Sequence, residues 1–456
     1  MLVVALAAFL ASRYASNDGF RSIISPAESY TISSGVLPAA LPPNARILDN
    51  LQRFFVGQIE APEHYAFAPN GDIYFGAADG RVTRTKLVGS ELAPLETVLY
   101  TGDPELAPAH APCGSIASEP LCGRPLGMAF APDDPSKLLV ADCTRGLMEV
   151  DVVARTKRVL LASVAGSPIL FANSLTLSSN GDKVYFTDSS SRWTRENFIY
   201  EVLQSTPTGR LIEFDRRTHE ARVIVTNVAF SNGLLLNYAA TTPVPASGDK
   251  SAKVAASSSP SSPYLILVEL NRARLLRVDL SKPIDAPIDW RLAQHQAPGS
   301  SASPVSILID NLPGIPDNLA WEEDDASRSW DRRRFWVGCG TARKAPFSLT
   351  DSLAPYPAIR EALAWVLPKQ AFLRLVPRVG LLLRLEVEAS HSTARIVESM
   401  QDNSGGIMLL TGAYEHGGYL FVGAIAHEVN YVARIPYSKA NKTDTTYLLS
   451  PTVKAN

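Results

Sequence analysis

The stretch ANSLTLSSNGDKVYFTD (172–188) decides how this chain is read. An alternating apolar run, an Asn-Gly turn and a second alternating run together spell a β-hairpin. The same layout recurs in PEHYAFAPNGDIYFG (62–76) in a shared register: Glu63 precedes Asn70 by seven residues, and Asn173 precedes Asn180 by seven. SNGLLLNYAA (231–240) and PDNLAWEEDD (316–325) repeat the entry into the first strand. Equivalent positions of successive repeat units face a common axis, so Glu63, Asn173, Asn232 and Asp317 are expected to converge. Two carboxylates and two amide oxygens match the charge and hardness of Ca²⁺, which takes about six to eight oxygen ligands.

Outward from these hairpins, the chain beyond residue 60 consists of short apolar runs punctuated by NG, DG, DD and GG turns. The runs group by fours: HYAFAP, DIYFGAA, RVTRTKL and ETVLYTG in the first unit, and LGMAFAP, KLLVADC, GLMEVDV and RVLLASV in the second. Six such units follow one another, and the last is short of a strand that RILDNLQRFFVG (46–57) can donate. The expected fold is therefore all-β, a six-bladed β-propeller over 45–440 with its ring closed by the N-terminal strand. A two-sheet sandwich would leave the equal register of the repeats unexplained.

Propeller geometry sorts the insertions. The Ser/Ala/Pro-rich segment 239–263 falls between the first and second strands of the fourth unit, as a disordered loop on the face away from the cage. Segments 189–208 and 341–380 fall between second and third strands, on the cage face. Within 341–380, Ile359, Leu363, Val366 and Leu367 are spaced as on an amphipathic helix, the one convincing helical stretch of the chain. A lid is expected here. A structural brace is the plainer alternative, and Trp365, Phe372, Leu373, Leu375 and Val376 supply enough apolar surface for contact with a membrane.

Composition excludes several classes. With 46% hydrophobic and 19% charged residues the chain is a folded protein, and a formal charge of −2 gives no footprint for nucleic acid. The four cysteines form no CxxC pair. Cys113 and Cys122 bracket a short loop suited to a local disulfide, with two buried thiols as the alternative. The apolar start MLVVALAAFLA reads as a signal peptide or signal anchor over 1–16, and Asn441-Lys442-Thr443, in the C-terminal tail 441–456, is a glycosylation sequon at Asn441. Both point to the secretory pathway: the endoplasmic reticulum lumen, a membrane-associated position, or secretion.

CGRPLGMAF (122–130), FANSLTLSSNGDKVYFTDSSSR (171–192), PTGRLIEFD (207–215), FSNGLLL (230–236), LPGIPDNLAW (312–321), FWVG (335–338) and APYP (354–357) resemble the strictosidine synthase-like family, most closely its adipocyte plasma membrane-associated branch. The resemblance runs from about residue 45 to 437. It implies a six-bladed propeller related to paraoxonases and gluconolactonase-type lactonases. In those relatives a calcium is held by residues matching Glu63, Asn173, Asn232 and Asp317, and Asn318 matches a further paraoxonase ligand. Two departures accompany the match. Thr411 stands where strictosidine synthases carry their catalytic glutamate, and Leu126 stands where paraoxonases carry a histidine base.

Because a hydroxyl is far too weak an acid to act as a carboxylate base, a strictosidine-type condensing enzyme is disfavoured. The leading expectation is a calcium-dependent hydrolase of aryl esters or lactones, and the alternative is a non-catalytic, membrane-associated binding propeller. His427 is the candidate proton shuttle. Asp79, Asp142, Asp188 and Glu269 are expected on the same face, with His64 and Asp188 as further residues around the cage or pocket. No GxSxG, P-loop, GxGxxG or HExxH motif competes.

Overall fold

The computed structural model describes residues 30, 48, 51–109, 112–237, 262–295, 303–323, 334–343, 348–366, 369–388, 390–402 and 404–437. The leader at 1–16, nearly all of the insertion at 239–263 and the sequon at Asn441 lie outside them.

Six antiparallel sheets of four main strands follow one another. The innermost strands of blades 1 to 6 are Tyr65–Phe67, Pro125–Ala131, Ala172–Leu177, Ser231–Asn237, Gly314–Trp321 and Leu410–His416. Each occupies the edge of its sheet, and neighbouring innermost strands touch around the axis. Blade 6 is completed by Gln52–Phe54, which pairs antiparallel with Val432–Pro436 so that Gln52 faces Arg434. The N-terminal strand thus closes the ring, as the sequence requires.

Strand alternation builds the core. In Asp134–Asp142 of blade 2, Leu138 and Val140 pack toward blade 1, whereas Leu139 and Ala141 pack toward blade 3. Equivalent apolar layers fill the space between blades 3 and 4 (Leu211, Leu236, Leu267), 4 and 5 (Ile266, Phe335, Leu383), and 5 and 6 (Trp336, Leu382, Leu420). A period of two therefore gives every middle strand two buried faces, each in a different interblade core.

The ladder between first and second strands breaks at the same place in five blades: 125/128, 172/175, 231/234, 316/319 and 410/412. Each break is a bulge of the kind that re-aims side chains. Leu126, Asn173, Asn232, Asp317 with Asn318, and Thr411 lie inside these breaks, and Glu63 occupies the approach to the blade 1 strand.

Both insertions on the cage face carry helices. The blade 3 insertion contains Phe198–Gln204, and the blade 5 insertion contains Leu349–Leu353, Pro357–Val366 and Lys369–Leu375. The expectation of a single helical stretch at 341–380 is therefore corrected. Phe198–Gln204 is a second, seven-residue helix whose apolar residues are too few to show a period in sequence. Trp193, Ile199, Tyr200 and Leu203 pack against Ala364 and Phe372, and Arg360 donates to the carbonyls of Leu203 and Gln204. Cys113 and Cys122 form the expected disulfide, and Cys143 and Cys339 are buried free thiols.

Ring closure also depends on a short contact between blades 6 and 1. Thr411 Oγ1 donates to the Glu63 carbonyl at 2.7 Å, and a Cβ on Gly423 would lie 2.1 Å from that same oxygen. Gly423→Ala is expected to cost about 2 kcal/mol or more through overpacking, and Thr411→Val about 1 kcal/mol, read from urea midpoints. A Gly423→Ala protein as stable as the parent would show that this approach does not constrain the ring.

Candidate functional site

Three of the bulges and the approach to the blade 1 strand bring five side chains to one end of the axis. Glu63, Asn173, Asn232, Asp317 and Asn318 are all buried, from 1% exposed at Glu63 to 8% at Asp317. Asn173 Oδ1, Asn232 Oδ1, Asp317 Oδ1 and both polar atoms of the Asn318 amide have no hydrogen-bond partner. Asn173 Nδ2 is anchored on Ser189 Oγ at 3.0 Å, which leaves its oxygen as the free end. A buried acceptor without a donor costs about 1–3 kcal/mol, so several at one spot call for a ligand.

Electrostatics point the same way. Burial pushes the Glu63 carboxyl above its usual range, opposed by Arg124 and Arg195 and by the adjacent Asn318 amide. Asp317 is pushed well above its usual range by burial and by the charge of Glu63, opposed by the neighbouring Asn232 amide and by Arg195. For both carboxyls burial outweighs the nearby positive charge. Oxygen-only donors with two acids suit a hard cation such as calcium, and the set contains no thiolate or imidazole that would favour zinc or copper. Among the described residues, no three His, Cys, Asp or Glu side chains gather as a metal site, so any cation held here would depend on the amide oxygens.

The other sequence candidates separate. His64 sits edge-on to the Tyr414 ring at 4.9 Å, and burial pushes its pKa down to about 4. It is a neutral packing residue between blades 1 and 6. Thr411 is fully buried and spends its hydroxyl on the Glu63 carbonyl.

Asp79, Asp142, Asp188 and Glu269, expected on the cage face, are each engaged by a backbone N–H, an arginine or both. Asp188 accepts from the Phe171 N–H at 2.9 Å and pairs with Arg210. Glu269 accepts from the Ala229 N–H at 3.0 Å and pairs with Arg274, and Asp142 accepts from the Arg124 N–H at 2.8 Å. Asp79 is engaged by Arg81 at 2.6 Å. Three of these carboxylates hold the chain just before it enters an innermost strand, and so position the cage indirectly.

His427 lies between the second and third strands of blade 6, half-buried, with Nδ1 3.6 Å from Glu60 Oε2. Burial lowers its pKa, and the nearby charges of Arg124 and Arg195 lower it further. Leu126, Phe171 and Phe230 form an apolar cluster with Phe198, Val202 and Leu270, joining the approaches to the inner strands to the blade 3 insertion. Its members adjoin the cage in sequence, Phe171 two residues before Asn173 and Phe230 two before Asn232.

Four residues near the cage escape sequence reasoning. Arg124 is fully buried, donating through Nη2 to the Ala61 carbonyl at 3.0 Å and to Glu63 Oε2 at 3.3 Å. Arg195 pairs with Glu119 at 2.5 Å, both buried. Tyr414 has a buried, unpartnered hydroxyl within the fields of Glu63 and Asp317. Only Arg124 left a signal, as the cation inside CGRPLGMAF. Two surface grooves, one of about 500 Å³ beside Tyr74, Arg84 and Asp134, lie toward the hairpins of the opposite face and include no cage residue.

This architecture defines a six-bladed β-propeller whose inner strands gather buried, unpartnered side-chain oxygens, with two helical insertions packed on each other. Residues 40–85 match the model of the strictosidine synthase-like N-terminal family, and residues 173–242 match that of strictosidine synthase. The chain is 31% identical to adipocyte plasma membrane-associated protein of Rattus norvegicus over 84% of its own length and 85% of the relative's. With the human protein of the same name the identity is 30%, over 85% of this chain and 78% of the relative. A solved putative gluconolactonase superposes with a TM-score of 0.42 at 10% identity, covering 88% of this chain and 97% of that one. The chain belongs to the strictosidine synthase-like family.

The burial of the cage carboxyls makes a signed prediction. Both cage carboxyls have raised values in the fold, so their metal-free contribution is present below the unfolded carboxyl range and is lost as pH rises through the folded values. In chelator at neutral pH, Asp317→Asn is expected to raise Tm by a few degrees, on the order of 1 kcal/mol, while abolishing any gain from added calcium. Calorimetry with and without calcium reads both. An Asn variant that is less stable in chelator and still responds to calcium would contradict the assignment.

Proposed function

We propose that this chain is a calcium-dependent hydrolase of aryl esters or lactones acting in the secretory pathway. The observation that carries this reading is the set of unpartnered, buried oxygens of Asn173, Asn232, Asp317 and Asn318 gathered beside Glu63. A calcium ion bound there supplies Lewis acidity toward an ester or lactone carbonyl. The chain's own groups do the rest. Leu126, Phe171, Phe230, Phe198 and Val202 offer an apolar wall to an aryl or acyl group, and the packed insertions limit access of bulk water. His427, neutral at physiological pH and held near Glu60, accepts the proton of the attacking water. Condensation of an amine with an aldehyde is disfavoured, since Thr411 offers no carboxylate and its hydroxyl is already committed.

A second reading, a membrane-associated binding propeller without turnover, is favoured by the exposure of Tyr356, Ile359 and Leu375 on the blade 5 insertion. The relatives' printed name, plasma membrane-associated protein, agrees with it. No helix among the described residues is long and apolar enough to cross a membrane.

Phenyl acetate and a simple aryl lactone, assayed with calcium and with chelator, separate the two. Glu63→Gln is expected to lower kcat/KM by at least about 100-fold. Calcium-dependent Tm without turnover would make the ion structural and favour the binding reading.

The pH profile gives an independent check. Because His427 is shifted down from 6.5, it stays an unprotonated base to lower pH than a free histidine. The acid limb of kcat/KM should therefore fall below pH 6.5 and disappear in His427→Gln. An unchanged limb in that variant would remove His427 from the reaction.

A further inference from the structure

We propose that Arg124 and Arg195 form an anion subsite beside the cage, which takes a carboxylate carried on an apolar body. This rests on the reading of the cage as a substrate site and specifies what that substrate carries.

Arg124 has none of its surface exposed, yet Nε and Nη1 have no hydrogen-bond partner. Arg195, 4% exposed, has an unpartnered Nε. A guanidinium does not shed its proton in a protein, so these three donors stay charged and need acceptors. The surrounding carboxylates do not provide them. Glu119 is taken by Arg195 Nη1, Asp142 by the Arg124 backbone and Thr101, and Glu63 is held by Arg124 Nη2 on one oxygen. A cation in the cage would occupy Glu63 further and weaken its neutralisation of Arg124.

The two guanidiniums face common ground. Arg195 acts on the charge of Arg124, both act on Glu63 and His427, and Arg195 also acts on Asp317. Two like charges that act on one another in a buried setting are relieved by an anion that both can reach. Arg124 is fixed in place by its Asp142 and Ala61 contacts, so the subsite is preorganised. Leu126, two residues on, begins the apolar cluster of Phe171, Phe230, Phe198 and Val202. That wall selects an oxyanion joined to an aryl or alkyl group over free phosphate.

Binding to the full chain is measured by calorimetry with phenylacetate, with its neutral isostere phenylacetamide, and with inorganic phosphate. Phenylacetate is expected to bind at least about tenfold more tightly than either. The preference should vanish in the Arg195→Gln/Glu119→Gln double variant, which leaves no buried carboxylate alone, while calcium still raises Tm. Arg124→Lys, keeping the charge without the fork, should weaken phenylacetate alone.

Equal binding of acid and amide with the calcium response intact overturns the subsite and leaves the cage standing. A preference that survives the double variant likewise overturns it. Phosphate binding as tightly as phenylacetate overturns the apolar-body requirement. An acid preference without any calcium response supports the subsite and sinks the metal reading.

Discussion

Around the propeller axis the innermost strands approach with their backbones in contact, and the cage depends on that approach. A Cβ on Gly233 would lie 2.3 Å from the Asp317 carbonyl oxygen, and one on Gly127 would lie 2.7 Å from that of Asn173. Glycine is required there because another backbone occupies the space of a side chain. The residue before each of these glycines, Asn232 or Leu126, sits in the ladder break and is freed from regular pairing. Thr187 Oγ1 then donates to the Asn232 carbonyl at 2.8 Å, and Ser174 Oγ accepts from the Leu234 N–H at 3.2 Å. Backbone contacts between blades thus fix the ring, and the side chains at the breaks are left available to a ligand.

The fold was legible because its signals are local. Asn70-Gly71 and Asn180-Gly181 set the hairpins, the glycines at φ of +85° and +75°, and period-two alternation sets the blades. The cage register was legible for the same reason, being a fixed count back from those turns. Charged groups were harder to place. Arg195 comes from an insertion whose approach to Glu119 depends on packing 76 residues away in sequence. Asp188 and Glu269 sit at the ends of second strands facing the ligand side, yet Arg210 and Arg274 lie directly opposite them in the ladder. Cross-strand register decides that pairing. An acidic residue closing one strand and an arginine opening the next is the signal that would have revealed it.

The two helical insertions are joined across blades. Asn271 Nδ2, from blade 4, donates to the Glu201 carbonyl, and Arg272 of the same loop donates to Ser205. Tyr30 lies between the guanidiniums of Arg272 and Arg360, 4.0 and 4.9 Å from its ring centroid, and its N–H donates to the Ala354 carbonyl. Residue 30 therefore touches both the blade 4 loop and the blade 5 insertion. Cation–π contacts of this kind add about 0.5–2 kcal/mol each to that junction.

Polarity within the cage register is uneven, and this bears on where proton transfer can occur. Blades 3, 4 and 5 contribute Asn173, Asn232, Asp317 and Asn318, whereas the two blades flanking Glu63 contribute Leu126 and Thr411. Leu126 is buried among apolar groups, and the Thr411 hydroxyl is spent on ring closure. The innermost strands therefore hold a ligand without moving its proton. On the proposed hydrolase reading, a proton acceptor comes from the loops, where His427 sits within the fields of Arg124 and Arg195. Burial first, and those cations after it, favour the neutral imidazole and so disfavour the imidazolium that forms once it accepts a proton. An anion between the guanidiniums would reduce that penalty, so binding a carboxylate would strengthen the base on the side of the ring where the cage has none.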